Sequence, residues 1–239
     1  VTLDFNRPNL SEQPFSVTLN DLIERSAPPG RNYRHYLGAS SLGSDCLRKI
    51  QLDWMCDPVH PSRTLDIFGR GHHFEAVTRQ HLVEVGFRFA PERQLAFQTC
   101  DGLFRGHADG VFIDGPPLPG LVYPAVWEHK CLKDKGWKAV ARDGLVGHYR
   151  PYAAQVALYQ HHLGVINPAL FSVVNADSCE RLHFLVPFDA ELAQRMIDRA
   201  VQIIEATRAG ELLSRITENP EDWRCRMCGF RARCWKLPP

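Results

Sequence analysis

Three strand-like runs follow one another between residues 87 and 130, and helical periodicity brackets them on both sides, an order that leaves few folds open. Residues 87–98 and 103–113 alternate loosely, the second broken at Gly106 and Gly110. Residues 122–130 follow the turn Asp114-Gly115-Pro116-Pro117-Leu118-Pro119-Gly120. Upstream, 65–85 reads as one helix ended by Gly86. Downstream, Tyr152, Val156, Tyr159 and Leu163 mark a helix over 148–163. Strands are expected at 170–175 and 181–187, and Asp189 caps a helix that Gly210 ends. Shorter helices are expected at 18–25, capped by Thr18 and stopped by Pro28-Pro29-Gly30, and at 40–54. The series predicts an α/β fold, a central mixed sheet flanked by helices.

A chain of 239 residues suffices for one core with a small appendage. The expected organisation is a single domain over 1–239: a helical lead-in at 1–64, a core at 65–210 and a cysteine-rich tail at 211–239. Lys and Arg number 28 against 27 Asp and Glu, so any contact with nucleic acid must come from a local patch. No apolar run is long enough to span a membrane, and 1–14 has no basic segment followed by an apolar one. We therefore expect no membrane partner and a reducing, cytoplasmic setting, in which the eight cysteines are metal ligands or buried thiols.

The chemistry concentrates in Gly106-His107-Ala108-Asp109-Gly110 and Trp127-Glu128-His129-Lys130. Residues two apart on a strand share a face, so Glu128 and Lys130 point one way and His129 the other. A hairpin brings Asp109 beside Glu128. Two carboxylates so close repel, and a divalent cation resolves the conflict. Mg²⁺ or Mn²⁺ suits such oxygen donors, with the His129 backbone carbonyl as a further ligand. A cation there acidifies water and draws charge from a phosphoryl group, and Lys130 stands where it can orient that water.

Asp109 followed by Glu128-x-Lys130 resembles the signature of the PD-(D/E)XK nuclease superfamily, with its αβββαβ core. Gly71-His72-His73-Phe74-Glu75 on the preceding helix is similar to the Gly-x-x-x-His/Glu element of RecB-type and phage-exonuclease members. That resemblance implies Glu75 as an extra catalytic metal ligand, with His72 a turn away, and His73 as the rival in the other register. Tyr152-x-x-Gln155-x-x-x-Tyr159 resembles the Gln and Tyr of the RecB-like branch and implies a role for Gln155 on the DNA backbone or the catalytic lysine; Tyr152 reads as core. The likeness covers about 65–188. One departure is Ala108, where the superfamily name has Pro.

Cys225-x-x-Cys228-x5-Cys234 is a tight cluster, and a closed four-thiolate site needs one more ligand, which Cys46 can bring from upstream. One Cys before the core and three after resembles the iron–sulfur nucleases, AddB and the CRISPR-associated RecB-like exonucleases among them. The resemblance implies a structural [4Fe–4S] clasp, with Zn²⁺ as the alternative occupant. Cys56, Cys100, Cys131 and Cys179 read as buried or incidental.

DNA is the expected partner, contacted with little base specificity. Candidates are Lys133, Lys135, Trp137, Lys138 and Arg142, then His148-Tyr149-Arg150. The resemblance implies a Mg²⁺/Mn²⁺-dependent DNA exonuclease of phage or prophage type in recombination or repair, working with recombination partners or as a homo-oligomer. A CRISPR spacer-processing nuclease and a non-catalytic DNA-binding module stapled by a metal cluster are the alternatives.

Overall fold

The computed structural model describes residues 9–26, 35–56, 61–91 and 95–238, and their side chains apart from 146–148. In chain order the elements are α1 (Pro14–Ser26), β1 (Leu37–Gly38), α2 (Leu47–Met55), α3 (Ser62–Glu84), β2 (Arg88–Phe89), β3 (Leu95–Thr99), β4 (Phe104–Ala108), β5 (Gly110–Asp114) and β6 (Ala125–Leu132). There follow α4 (Asp134–His148), α5 (Arg150–Leu163), β7 (Ala169–Asn175), β8 (Arg181–Val186), α6 (Ala190–Arg208), α7 (Trp223–Arg226) and α8 (Arg231–Cys234). The strands form a five-stranded mixed sheet, β2-β5-β6-β7-β8, and a three-stranded one, β1-β4-β3.

β6 is the middle strand of the larger sheet. It runs antiparallel to β5 (Gly110 opposite Trp127) and parallel to β7 (Glu128 opposite Phe171, Lys130 opposite Val173). Parallel neighbours need a long crossover, supplied here by α4 and α5. β7 is buried at all seven positions, as an inner strand covered on both faces should be. One face carries Trp127, Ala125, Phe112 and Leu170 against Leu82 of α3. The other carries Val126, Phe171 and Val173 against α5 and α6. α5 is buried from Ala153 to Gln160, and α6 offers it Ala193, Met196, Ala200 and Ile203, the spacing of a helix with one apolar stripe.

This is the α/β architecture expected from the sequence, and several boundaries are corrected. The run 87–98 is two strands in different sheets. Ala90 N still donates to Val111 O at 2.8 Å, but Pro91 has no donor to continue the ladder. The run 103–113 divides at Asp109, whose two sides also lie in different sheets. The 40–54 helix starts only at Leu47: a 3-10 turn at Ala39–Ser41 precedes it, and Gly43 sits where an added Cβ would stand 2.3 Å from Pro151 Cα. The first helix begins at Pro14, and its expected stop, Pro28-Pro29-Gly30, lies outside the described residues. α4 was not foreseen, because Gly136, Gly144 and Gly147 dilute its helical signal; Gly144 breaks its geometry with φ of 64°. The lead-in is also less separate than expected: β1 pairs with β4, and Leu37, Ala39, Leu42 and Ile50 join the main core.

Candidate active site

Asp109 is the residue between β4 and β5, one step past the last rung that pairs β5 with β6. Its Oδ2 accepts a 2.7 Å hydrogen bond from His129 N, and its carbonyl accepts from Arg79 Nη1 at 3.3 Å. The carboxylate is thereby fixed toward β6. Glu128 is fully buried; Lys130 Nζ donates to its Oε1, while its Oε2 has no hydrogen-bond partner among the described residues. A strand residue's N–H and C=O point to the same edge, so the His129 carbonyl faces the Asp109 side, beyond the end of the β5 ladder.

The electrostatics describe acids crowded together. Burial pushes the Glu128 carboxyl up to about 8, reinforced by Asp109 and opposed by Lys130. Burial also raises Asp109, against the pull of Lys130 and the His129 N–H. Glu75, on α3, is raised by burial and by Asp109, and lowered by His72, whose Nδ1 stands 3.7 Å from its carboxylate. Burial works against the Lys130 ammonium, yet Glu128 and Asp109 outweigh it and hold the charge well above the ordinary lysine range.

Of the residues expected from the sequence, the structure brings Asp109, Glu128, Lys130 and Glu75 into one electrostatic group. His73 is exposed and packs edge-on against Phe74. The His129 ring points away, its Nε2 3.2 Å from Thr78 Oγ1 on α3. Gln155 is buried and donates to Tyr159 Oη at 2.8 Å. Tyr159 lies within the field of Glu128 and Asp109. The ring over Lys130 Nζ is that of Tyr152, 5.4 Å away and stacked on Tyr149 at 5.1 Å. Sequence reasoning read Tyr152 as core; its place three residues before Gln155, one turn along the same helix face, was the available signal. Arg79 was missed altogether: it lies over the Phe89 ring at 3.7 Å as well as on Asp109.

Most of the basic segment after β6 lies on α4, and two of its charges have local partners: Lys138 pairs with Asp134 at 2.9 Å and Arg142 with Asp143 at 2.6 Å. Trp137 packs on the main core, which corrects the expectation of a free stacking surface. The side chain of His148 lies outside the described residues.

Outside this group, Cys46, Cys225, Cys228 and Cys234 line one cavity of ≈ 170 Å³. Burial and then Asp222, followed by the other three cysteines, raise the Cys225 thiol. Cys46 is the N-cap of α2, its Sγ accepting from Lys49 N at 3.4 Å. Among the described residues, neither these cysteines nor Asp109, Glu128 and Glu75 stand as three side chains already closed around a metal ion.

The sequence matches no protein-family profile and no curated protein. In three dimensions it is similar to an alkaline exonuclease, LHK-Exo from Laribacter hongkongensis, with a TM-score of 0.54 at 12% identity over 73% of this chain and 89% of that one. The same exonuclease in complex with dAMP gives 0.53 at 13% identity, over 74% and 90%. The chain has the fold of that exonuclease. No helix among the described residues is long and apolar enough to cross a membrane.

Proposed function

We propose that this protein is a metal-dependent deoxyribonuclease of the RecB-like branch of the PD-(D/E)XK superfamily, an exonuclease acting on DNA in recombination or repair. The observation that carries the reading is the buried, unpartnered Oε2 of Glu128 beside Asp109, with Lys130 on the other oxygen. A fully buried carboxylate oxygen without a donor is costly, and a hard divalent cation is the partner that suits it. The shared fold with an exonuclease that binds dAMP supports a DNA substrate.

The donor types suit Mg²⁺ or Mn²⁺, and the three carboxylates would have to draw together onto it: Asp109, Glu128 and Glu75 would hold it, with the His129 carbonyl. When bound, such an ion supplies charge to the phosphoryl oxygens and lowers the pKa of water. The chain's own groups do the rest. The His129 N–H fixes the orientation of the Asp109 carboxylate. Lys130, kept charged by its two carboxylates, orients the attacking water and stabilises charge as it develops. Tyr152 presents its ring face to that ammonium and limits its wandering. Gln155 and Tyr159 brace the face of α5 beneath the site.

The four cysteines hold a [4Fe–4S] cluster in this reading. Four thiols around one cavity support a metal–thiolate group there, with Zn²⁺ as the other occupant. The deciding experiment is cleavage of end-labelled DNA with added Mg²⁺ or Mn²⁺ and again with chelator. Metal-dependent release of nucleotides is expected. DNA that binds but stays intact under every metal tried would leave a non-catalytic binding module.

A further inference from the structure

The cavity framed by Cys46, Cys225, Cys228 and Cys234 is also walled by Arg215 and Trp235. The Arg215 guanidinium lies over the Trp235 indole, 4.6 Å from its centroid. Its Nη2 donates to the carbonyls of Leu237 at 2.6 Å, Cys234 at 3.1 Å and Pro238 at 3.3 Å. The cation is therefore pinned to the tail that carries three of the four cysteines. Two buried donors remain: Arg215 Nε and Trp235 Nε1, and neither has a hydrogen-bond partner among the described residues. Buried N–H groups are almost always paired, since an orphan forfeits its hydration for nothing. Two other cations on the same wall are engaged elsewhere: Arg224 with Asp222 and Arg231 with Glu221. Two orphan donors beside four sulfurs call for an electron-rich acceptor.

We infer that Trp235 and Arg215 donate N–H···S hydrogen bonds to a metal–thiolate group held by the four cysteines, and thereby set its charge balance and its retention. The inference rests on the four-cysteine reading above. A tetrathiolate metal group is anionic, and each N–H aimed at sulfur withdraws electron density and favours the more negative state. Arg215 adds a full positive charge that its three carbonyls already hold in place. Such donors slow loss of the group and, for an iron–sulfur cluster, raise its reduction potential.

The test uses anaerobically reconstituted full-length protein. Trp235→Phe keeps an aromatic ring under Arg215 and deletes only the N–H. Arg215→Lys keeps the charge and deletes Nε and the planar fork. Iron, sulfide and zinc are assayed, then metal release to a chelator is timed. Both variants should load like the parent and release about tenfold faster. The midpoint potential of an iron-loaded Trp235→Phe should be more negative than the parent's. Trp223→Phe, at a rim tryptophan that is 66% exposed, should match the parent. Release at the parental rate in both variants overturns the inference. So does equal thermal destabilisation of the metal-free and loaded Trp235→Phe, which would make the indole a packing group. A parent that takes up no metal sinks the four-cysteine reading and this inference with it. Zinc in place of iron refutes the cluster alone, and the release rates then decide whether the donors act on thiolate sulfur.

Discussion

Asp109, Glu128 and Lys130 form one charge system, so removing any member changes the others. Asp109→Ala, Glu128→Ala and Lys130→Ala should each lower DNA cleavage by about 10²-fold or more, with the far-ultraviolet circular dichroism of the parent. Lys130→Ala should still bind Mn²⁺ in a titration, because an ammonium is no ligand. Parental turnover in any of the three removes that residue from the mechanism. Glu75→Gln should fall with them, whereas His73→Ala should remain active; the reverse result would restore the other register. The pairing of Glu128 with Lys130 was legible because strand alternation fixes which side chains share a face, and Asp109 followed from the hairpin that returns to Glu128. Tyr152 was read as core although its spacing to Gln155 put it on the same face, because an aromatic on a helix is usually packing; Arg79 carries no spacing signal until the sheet beneath α3 is placed. A second residue-scale prediction concerns pH. Burial, then the Lys130 charge, push the His129 ring down to about 3 from an ordinary 6.5. The unfolded chain therefore takes up a proton that the native state refuses. The native state loses stability as pH falls from about 6.5 toward about 3, by on the order of a few kcal/mol. His129→Gln should flatten that slope in urea titrations between pH 7 and 4; an unchanged slope would show that the ring is not held neutral.

Elements were legible wherever one periodicity governed a whole segment. α6 announced itself by its cap and by the Gly210 stop: Asp189 Oδ1 accepts from Leu192 N at 2.8 Å. Asp189→Ala should cost about 1 kcal/mol, read as a lower urea midpoint, with cleavage unaffected. Segments divided by tertiary pairing were illegible, because nothing local says that β4 and β5 belong to different sheets. The tight approach of Gly43 to Pro151 also depends on two distant segments. Gly43→Ala should force the start of α5 away, at about 1–3 kcal/mol, and displace Tyr152 and Gln155 from the site. Thermal melting and turnover should drop together. A stable, fully active Gly43→Ala would mean that α5 has slack the packing does not reveal.

At the scale of the molecule, the cysteine cavity joins α2 to the end of the chain. Arg48, fully buried, adds to the same closure through a hydrogen bond from its Nη2 to Pro238 O. If the cavity holds metal, binding there is coupled to folding, since an unfolded chain has no cage. Serine at Cys46, Cys225, Cys228 or Cys234 should lower the melting temperature of reconstituted protein and abolish the benefit of adding metal. Serine at the exposed Cys179 should do neither. Equal melting in all five variants would deny the cavity any part in stability. The split of one cysteine before the core and three after it was visible in the sequence; the walls of the cavity were not, because Arg215 and Trp235 meet only once the tail has folded back.

The position of Asp109 bears on how this sequence can drift. A single residue separates β4 of one sheet from β5 of the other. Inserting or deleting one there would turn every side chain of β5 to the opposite face and take the carboxylate off Glu128. Between β5 and β6, by contrast, ten residues, 115–124, join the two strands; Leu121 and Tyr123 anchor the link to the core, but 117–120 are exposed, and a longer or shorter loop there changes no pairing. Homologous chains aligned to this one should therefore vary freely in length across 117–120 and not at all from 108 to 110.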